Sequence, residues 1–162
     1  MGRGANALDG RTPAKQLVGF LGKFEPKVAA LAKGAVSKLH ERLPGAFELV
    51  YDNYNALAIA FSPTDASSAA VFSVAVYPRW VSLFFAQGAR LRDPTSILKG
   101  SGNQMRHIVL GSPADIRRPD VEALISQALK LATVAMDEPG PRRLIVKSIS
   151  AKQRPRRPAS KR

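Results

Sequence analysis

The sequence predicts one α+β domain, in which two N-terminal helices and one C-terminal helix pack on an antiparallel sheet of about five strands. Two stretches with apolar residues at helical spacing open the chain, and a third begins near residue 120. Between them lie short runs rich in aromatic and branched residues, separated by turn sequences. Because each helix has one apolar face to bury, we expect the helices to cover one face of the sheet.

The first two helices are predicted from their proline starts and their apolar stripes. Thr12 before Pro13 is typical of an N-cap followed by the first helical position, and Glu25-Pro26 gives a second start. Leu43-Pro44-Gly45 ends the second helix. The stripes consist of Leu17, Phe20, Leu21 and Phe24, and then of Val28, Leu31, Ala32, Ala35, Val36 and Leu39. Residues 1–12 are expected to form a flexible N-terminus.

Five strands are predicted after the second helix. Their residue types favour a pleated, partly buried surface. The predicted strands are Phe47–Tyr51, Ala56–Phe61, Ala70–Tyr77, Val81–Ala86 and Met105–Leu110. The short separators between the first four, such as Pro78-Arg79, are turn sequences. Short connections between successive strands favour antiparallel pairing.

The last helix is predicted to begin at Pro119 and to carry its apolar face as far as Ala135. Pro139-Gly140-Pro141 stops it, so we expect the domain to span residues 13–140. Leu144–Ile149 could form a short strand within residues 141–150. Residues 151–162 hold too little apolar surface to offset the entropy of ordering, and they are predicted to form a disordered basic tail.

Charge is the unusual feature of the composition. The chain of 162 residues has 25 Lys and Arg against 12 Asp and Glu, a net charge of +13. Nine of those cations and no acid fall between Pro141 and Arg162. The tail is therefore a candidate for nonspecific binding of nucleic acid or another polyanion, with a salt slope of roughly −4 to −5 if all six of its cations contact phosphates. Those six are Lys152, Arg154, Arg156, Arg157, Lys161 and Arg162.

Several classes of protein are excluded or disfavoured. The absence of cysteine excludes disulfides, thiolate metal sites and cysteine nucleophiles. A signal-peptide core and an 18-residue apolar run are both missing, so we expect a cytoplasmic protein without a membrane partner. His40 and His107 are the only histidines and lack metal-ligand spacing, and we expect neither a metal nor a cofactor. No GxSxG elbow or P-loop motif indicates a catalytic class.

Two clusters of residues are candidates for ligand binding. Aromatic rings beside a cation at the Pro78-Arg79 turn could stack on a base or hold an aromatic ligand. A Gly-Ser-Gly segment that runs into an arginine and a histidine could shape a small anion nest. We expect both clusters to border one groove at the sheet edge. The candidate residues are Tyr77, Arg79, Trp80, Gly100, Gly102, Arg106 and His107.

Three segments of the chain resemble a known family. They are Tyr51-Asp52-Asn53-Tyr54-Asn55-Ala56-Leu57, Tyr77-Pro78-Arg79-Trp80-Val81 and Leu98-Lys99-Gly100-Ser101-Gly102-Asn103-Gln104-Met105-Arg106-His107-Ile108. Over roughly Leu43 to Ala135, the chain resembles the YdhG-like family, also called domain of unknown function 1801. The resemblance implies a small α+β domain with an antiparallel sheet and terminal helices. It also implies one known role, because a branch of that family is regarded as a frataxin-like iron chaperone that relies on an acidic surface.

The leading functional hypothesis is a non-enzymatic binding protein with a groove for an anionic or aromatic ligand and a basic tail. One alternative is the frataxin-like iron chaperone, although no acidic ridge of this sequence matches that branch, and we transfer no metal ligand. The other alternative is an enzyme in which Arg106 holds an anion and His107 donates a proton.

Overall fold

The computed structural model describes residues 12–133 and 135–159. The predicted flexible N-terminus lies outside the described residues except for Thr12, and so do the tail residues Lys161 and Arg162. The helices are α1 (Pro13–Leu21), α2 (Pro26–Arg42) and α3 (Pro119–Ala132). The strands are β1 (Phe47–Asp52), β2 (Leu57–Ser62), β3 (Phe72–Val76), β4 (Val81–Phe85), β5 (Arg106–Leu110) and β6 (Arg143–Ile149).

The predicted α+β class is confirmed, and the sheet is larger and more mixed than expected. Six strands pair in the order β5-β4-β3-β2-β1-β6. The pairs from β1 to β5 are antiparallel, whereas β6 runs parallel to β1 with Val50 opposite Val146. The sheet is therefore mixed, and it has six strands instead of about five. Local turn sequences could not reveal this pairing, because α3 and the rest of the sheet lie between β1 and β6 in the chain.

The helices cover one face of the sheet, as the sequence predicts. We call this the inner face, and it carries Val50, Ile59, Val74 and Leu83 in one buried cluster with residues of all three helices. Because side chains alternate along a strand, the residues between these belong to the opposite, outer face. The outer face is lined in its middle by small side chains, which are Ala58, Ala60, Ser73, Ala75 and Ser82.

Element boundaries follow local chemistry. Thr12 caps α1 as predicted, since its side chain accepts a hydrogen bond from the Lys15 amide at 3.2 Å. Helix α3 ends at Ala132, three residues before the predicted Ala135, because Thr133 adopts a left-handed conformation with φ of 52°. A short 3₁₀ turn over Ser67–Ala69 delays the start of β3.

The prediction of a disordered tail is wrong for residues 151–159. The backbone amide of Ser150 donates to Asp52 and that of Arg154 donates to Tyr54, both at 2.8 Å, so the tail follows β1 beyond the end of β6. The Arg156 side chain is only 3% exposed and donates to the buried Asp52 carboxylate at 2.9 Å. Composition alone missed this anchor because the tail is held by a polar partner within the domain and not by apolar burial.

Candidate functional site

The β3–β4 hairpin presents a stacked aromatic pair. Its two-residue turn is closed by the Tyr77 amide, which donates to the Trp80 carbonyl at 2.9 Å. The two rings stack with their centroids 4.7 Å apart and 19° between their planes. Burial raises the pKa of the Tyr77 hydroxyl, whereas Trp80 remains 43% exposed. The hairpin therefore holds one ring as a support and leaves the other available to a ligand.

An open groove of about 530 Å³ lies beside this aromatic pair. One wall is the hairpin, with Arg79 at its tip, and the other is the tail, with Arg154 and Pro155. Both arginines are exposed, and neither guanidinium makes a hydrogen bond or ion pair with the part of the chain described here. The groove thus combines an exposed aromatic ring with two uncommitted cations.

The anchoring of the tail explains why Arg154 reaches the groove. The Arg154 amide is bonded to the β1–β2 turn, and two residues later Arg156 donates to the carbonyls of Asn53 at 2.6 Å and Tyr54 at 3.3 Å. Arg156 also lies over the Phe24 ring, 5.7 Å from its centroid. Arg154 is therefore placed at the groove by contacts of its own amide and of Arg156 with the end of β1, the β1–β2 turn and Phe24, which lies between α1 and α2.

The Gly-Ser-Gly segment forms a tight loop that closes on itself. Gly100 has a φ of 119°, a conformation that L side chains rarely adopt. The Arg106 Nη1 donates to the carbonyls of Gly102 at 2.6 Å and Met105 at 2.7 Å. The guanidinium that was expected to hold an anion is therefore bonded to the loop's own backbone.

His107 belongs to a second aromatic pair. Its ring stacks on Phe84 with centroids 4.8 Å apart, and its backbone pairs with Lys99 in an isolated bridge. Burial, and after it the positive charge of Lys99, lowers the pKa of His107 below its ordinary 6.5. The imidazole is therefore neutral at pH 7, which disfavours its expected use as a proton donor.

The two clusters do not border one groove. Trp80 precedes the first residue of β4, whereas Arg106 pairs with Phe85, the last residue of that strand. Five strand steps of about 3.4 Å separate the clusters by roughly 17 Å. The structure brings together Tyr77, Arg79 and Trp80, and it places Gly100, Gly102, Arg106 and His107 at the far end of β4.

Both aromatic pairs nevertheless lie on the outer face of the sheet. Val81 and Leu83 point inward, so Trp80 and Phe84 point outward, and His107 is the register partner of Phe84. The described strands carry their carboxylates, Glu48 and Asp52, only on the inner face. The outer face therefore carries aromatic rings at both ends and no carboxylate on its described strands, whereas Ala60, Ala75 and Ser82 between them are at most 6% exposed.

Two carboxylates, Glu48 and Asp52, are buried in ion pairs, which was not predicted from the sequence. Glu48 is bonded to His40 Nδ1 at 2.9 Å and to Arg142 Nη2 at 2.6 Å, and Asp52 is bonded to Arg156 and Lys23. Alternation along β1 was the available signal, because it puts both acids on the same inward face as Val50 and thus requires cationic partners. Among the residues described, no group of three or more His, Cys, Asp or Glu side chains could hold a metal ion.

Comparisons with known proteins do not assign this chain to a family. Within the described residues, no helix is both long enough and apolar enough to cross a membrane. No family model matches the sequence, and searches of curated proteins and of solved structures give no match. The resemblance to the YdhG-like family therefore stays a prediction, and any statement about function must rest on the site itself.

Proposed function

We propose that this protein binds single-stranded nucleic acid through the groove between the β3–β4 hairpin and the tail. The observation that carries the proposal is the exposed Trp80 ring, stacked on Tyr77 and flanked by the uncommitted guanidiniums of Arg79 and Arg154. A base stacked on an aromatic ring contributes about 1–3 kcal/mol, and nearby cations contact the phosphates of the same strand.

The geometry favours unpaired over duplex nucleic acid. Stacking on Trp80 requires a base whose face is free, which a paired base inside a helix does not offer. The outer face beside the groove adds no carboxylate from its described strands that would repel a phosphate backbone. The site is therefore suited to a short extended strand.

The ordered tail changes the expected salt dependence. Arg156 is committed to Asp52, and Arg157 donates to the carbonyls of Lys23 and Gly22. With Arg79 and Arg154 as the phosphate contacts of the groove, we expect a slope of log affinity against log salt of about −1.4. This slope is much shallower than the slope of roughly −4 to −5 expected for a free arm with six cations.

Trp80 is the only tryptophan of the chain, so its fluorescence reports on this groove directly. Titration with an oligonucleotide of about eight nucleotides should quench it, and the matching duplex should do so more weakly. Arg154→Gln should reduce affinity and lower the salt slope by about 0.7. Lys152→Gln makes the same change of charge in the same segment outside the groove, and it should leave the quenching almost unchanged.

A loss of binding that is equal in the two variants would show that the tail acts only through its total charge. Absence of quenching at low salt would refute the groove as a nucleic-acid site. Trp80→Ala, followed by fluorescence anisotropy of a labelled strand, should weaken binding by the contribution of one stacked base, about tenfold or more.

A further inference from the structure

A second groove, separate from the aromatic one, lies between α1 and α2. Its volume is about 470 Å³, which falls within the range of small-molecule sites. The α1 wall is apolar and consists of Ala14, Leu17, Val18 and Leu21. The Val18 side chain is 66% exposed, and it adds apolar surface in contact with solvent to this wall of the groove.

The opposite wall, on α2, is apolar at Ala29, Ala30 and Val36 and also carries a few polar and basic side chains. Lys33, Ser37 and His40 follow one another at helical spacing on α2, so they form a single line along the groove. Arg142 lies at the end of this line. The groove is therefore mostly apolar with one line of hydrogen-bonding groups, and its lining contains no carboxylate among the residues described.

The buried Glu48 carboxylate pairs with the basic side chains at one end of the groove and leaves Lys33 without a partner among the described residues. Arg142 donates through Nε and Nη2 to the buried Glu48 carboxylate, which His40 also contacts. Lys33, by contrast, is exposed and makes no ion pair or hydrogen bond with any residue that the structure describes. The positive charge of Lys33 is thus available to a ligand, while Arg142 is largely matched by Glu48.

We propose that this groove binds an amphipathic monocarboxylate, such as a medium-length fatty acid. The apolar chain of the ligand lies along Leu17, Val18 and Leu21, and its carboxylate pairs with Lys33. Burial of the chain supplies most of the affinity, since the effect scales with the apolar area removed from water. The carboxylate supplies orientation through a charge-assisted hydrogen bond to the Lys33 ammonium.

The test is isothermal titration calorimetry of the full-length protein with decanoate and with decanol. Decanoate should bind with one-to-one stoichiometry, and decanol about tenfold more weakly, because it keeps the chain and lacks the charge. Lys33→Gln should weaken decanoate about tenfold and leave decanol unchanged. Lys27→Gln alters an exposed lysine of α2 outside the groove, and it should change the affinity less than about twofold.

Two filling variants locate the ligand. Ala30→Trp and Ala14→Trp each place a large ring in the groove from an exposed position, and either should abolish decanoate binding. Circular dichroism confirms that the variants are folded. Trp80→Ala should leave decanoate binding intact, because the aromatic groove is a different site.

Apolar burial has little enthalpy near room temperature but a large heat-capacity change, so absence of heat with about 1 mM decanoate at both about 15 °C and about 35 °C would overturn the proposal. Equal affinity for decanoate and decanol would overturn the role given to Lys33, and so would equal losses in the two lysine variants. Undiminished binding in both filling variants would place the ligand elsewhere and refute this groove as the site.

Discussion

Replacing Arg156 by methionine should destabilise the protein by about 3 kcal/mol. Arg156 and Asp52 are 3% and 0% exposed, so the substitution leaves a carboxylate buried without its main partner. Loss of one member of such a pair costs about 3–5 kcal/mol. We expect the lower end, because Lys23 still contacts Asp52 at 3.2 Å and is 46% exposed. Methionine keeps most of the apolar length of the side chain but loses the guanidinium, which lies 5.7 Å from the Phe24 centroid, so the loss is mainly electrostatic.

Urea denaturation followed by far-UV circular dichroism measures this change, and the melting temperature should fall by roughly 6–12 °C. Arg157→Met is the matched control, since Arg157 is exposed and, among residues 12–133 and 135–159, donates only to the backbone carbonyls of Lys23 and Gly22. It should cost less than about 0.5 kcal/mol.

A double variant separates the ion pair from general packing. Asp52→Leu with Arg156→Met removes both charges, and it should recover most of the stability lost in Arg156→Met alone. Recovery is favoured because the Arg156 Nε is already buried without a hydrogen-bond partner in the described structure. If Arg156→Met cost no more than Arg157→Met, the anchoring of residues 151–159 by Asp52 would be refuted.

Two further predictions concern the loop region at the far end of β4. The pKa of His107 is lowered in the folded protein, so between the folded and unfolded pKa values the unfolded chain binds more protons than the folded one. The free energy of unfolding should therefore be highest above about pH 6.5 and should decrease as the pH falls through the folded pKa. Urea titrations across this range should show the slope in the wild type and a weaker slope in His107→Gln; equal slopes would contradict the assignment. Gly88→Ala should cost about 1–3 kcal/mol, because the new Cβ would lie 2.5 Å from Arg106 Cβ, whereas Gly102→Ala meets nothing within 4 Å and should be nearly neutral. Equal melting temperatures for the two glycine variants would contradict the close approach at Gly88.

Residue pattern alone predicts the helices and most strands of this protein. The proline starts at Pro13, Pro26 and Pro119 each mark the first residue of a helix, because proline has the right φ and its missing amide is not needed there. The hairpin at Pro78-Arg79 is also predicted from local sequence, because these two residues form a turn between two strands. It brings Tyr77 and Trp80 together, so this part of the candidate site is readable from sequence.

Tertiary structure decides the features that depend on distant partners. The separation of Trp80 from Arg106 follows from their positions at opposite ends of β4, which only the register establishes. The groove needs Arg154, which is delivered by the Asp52–Arg156 pair across about 100 positions of the chain.

The sequence by itself determined where helices and turns begin, because capping, proline geometry and turn chemistry act over a few residues. Only the tertiary structure decided that β6 joins β1 in parallel and that the basic tail is ordered to residue 159. Both results depend on a buried partner far along the chain. A cation in a polar tail has the same local sequence whether it meets solvent or a carboxylate inside the domain, and the two cases differ only in how the chain folds back on itself.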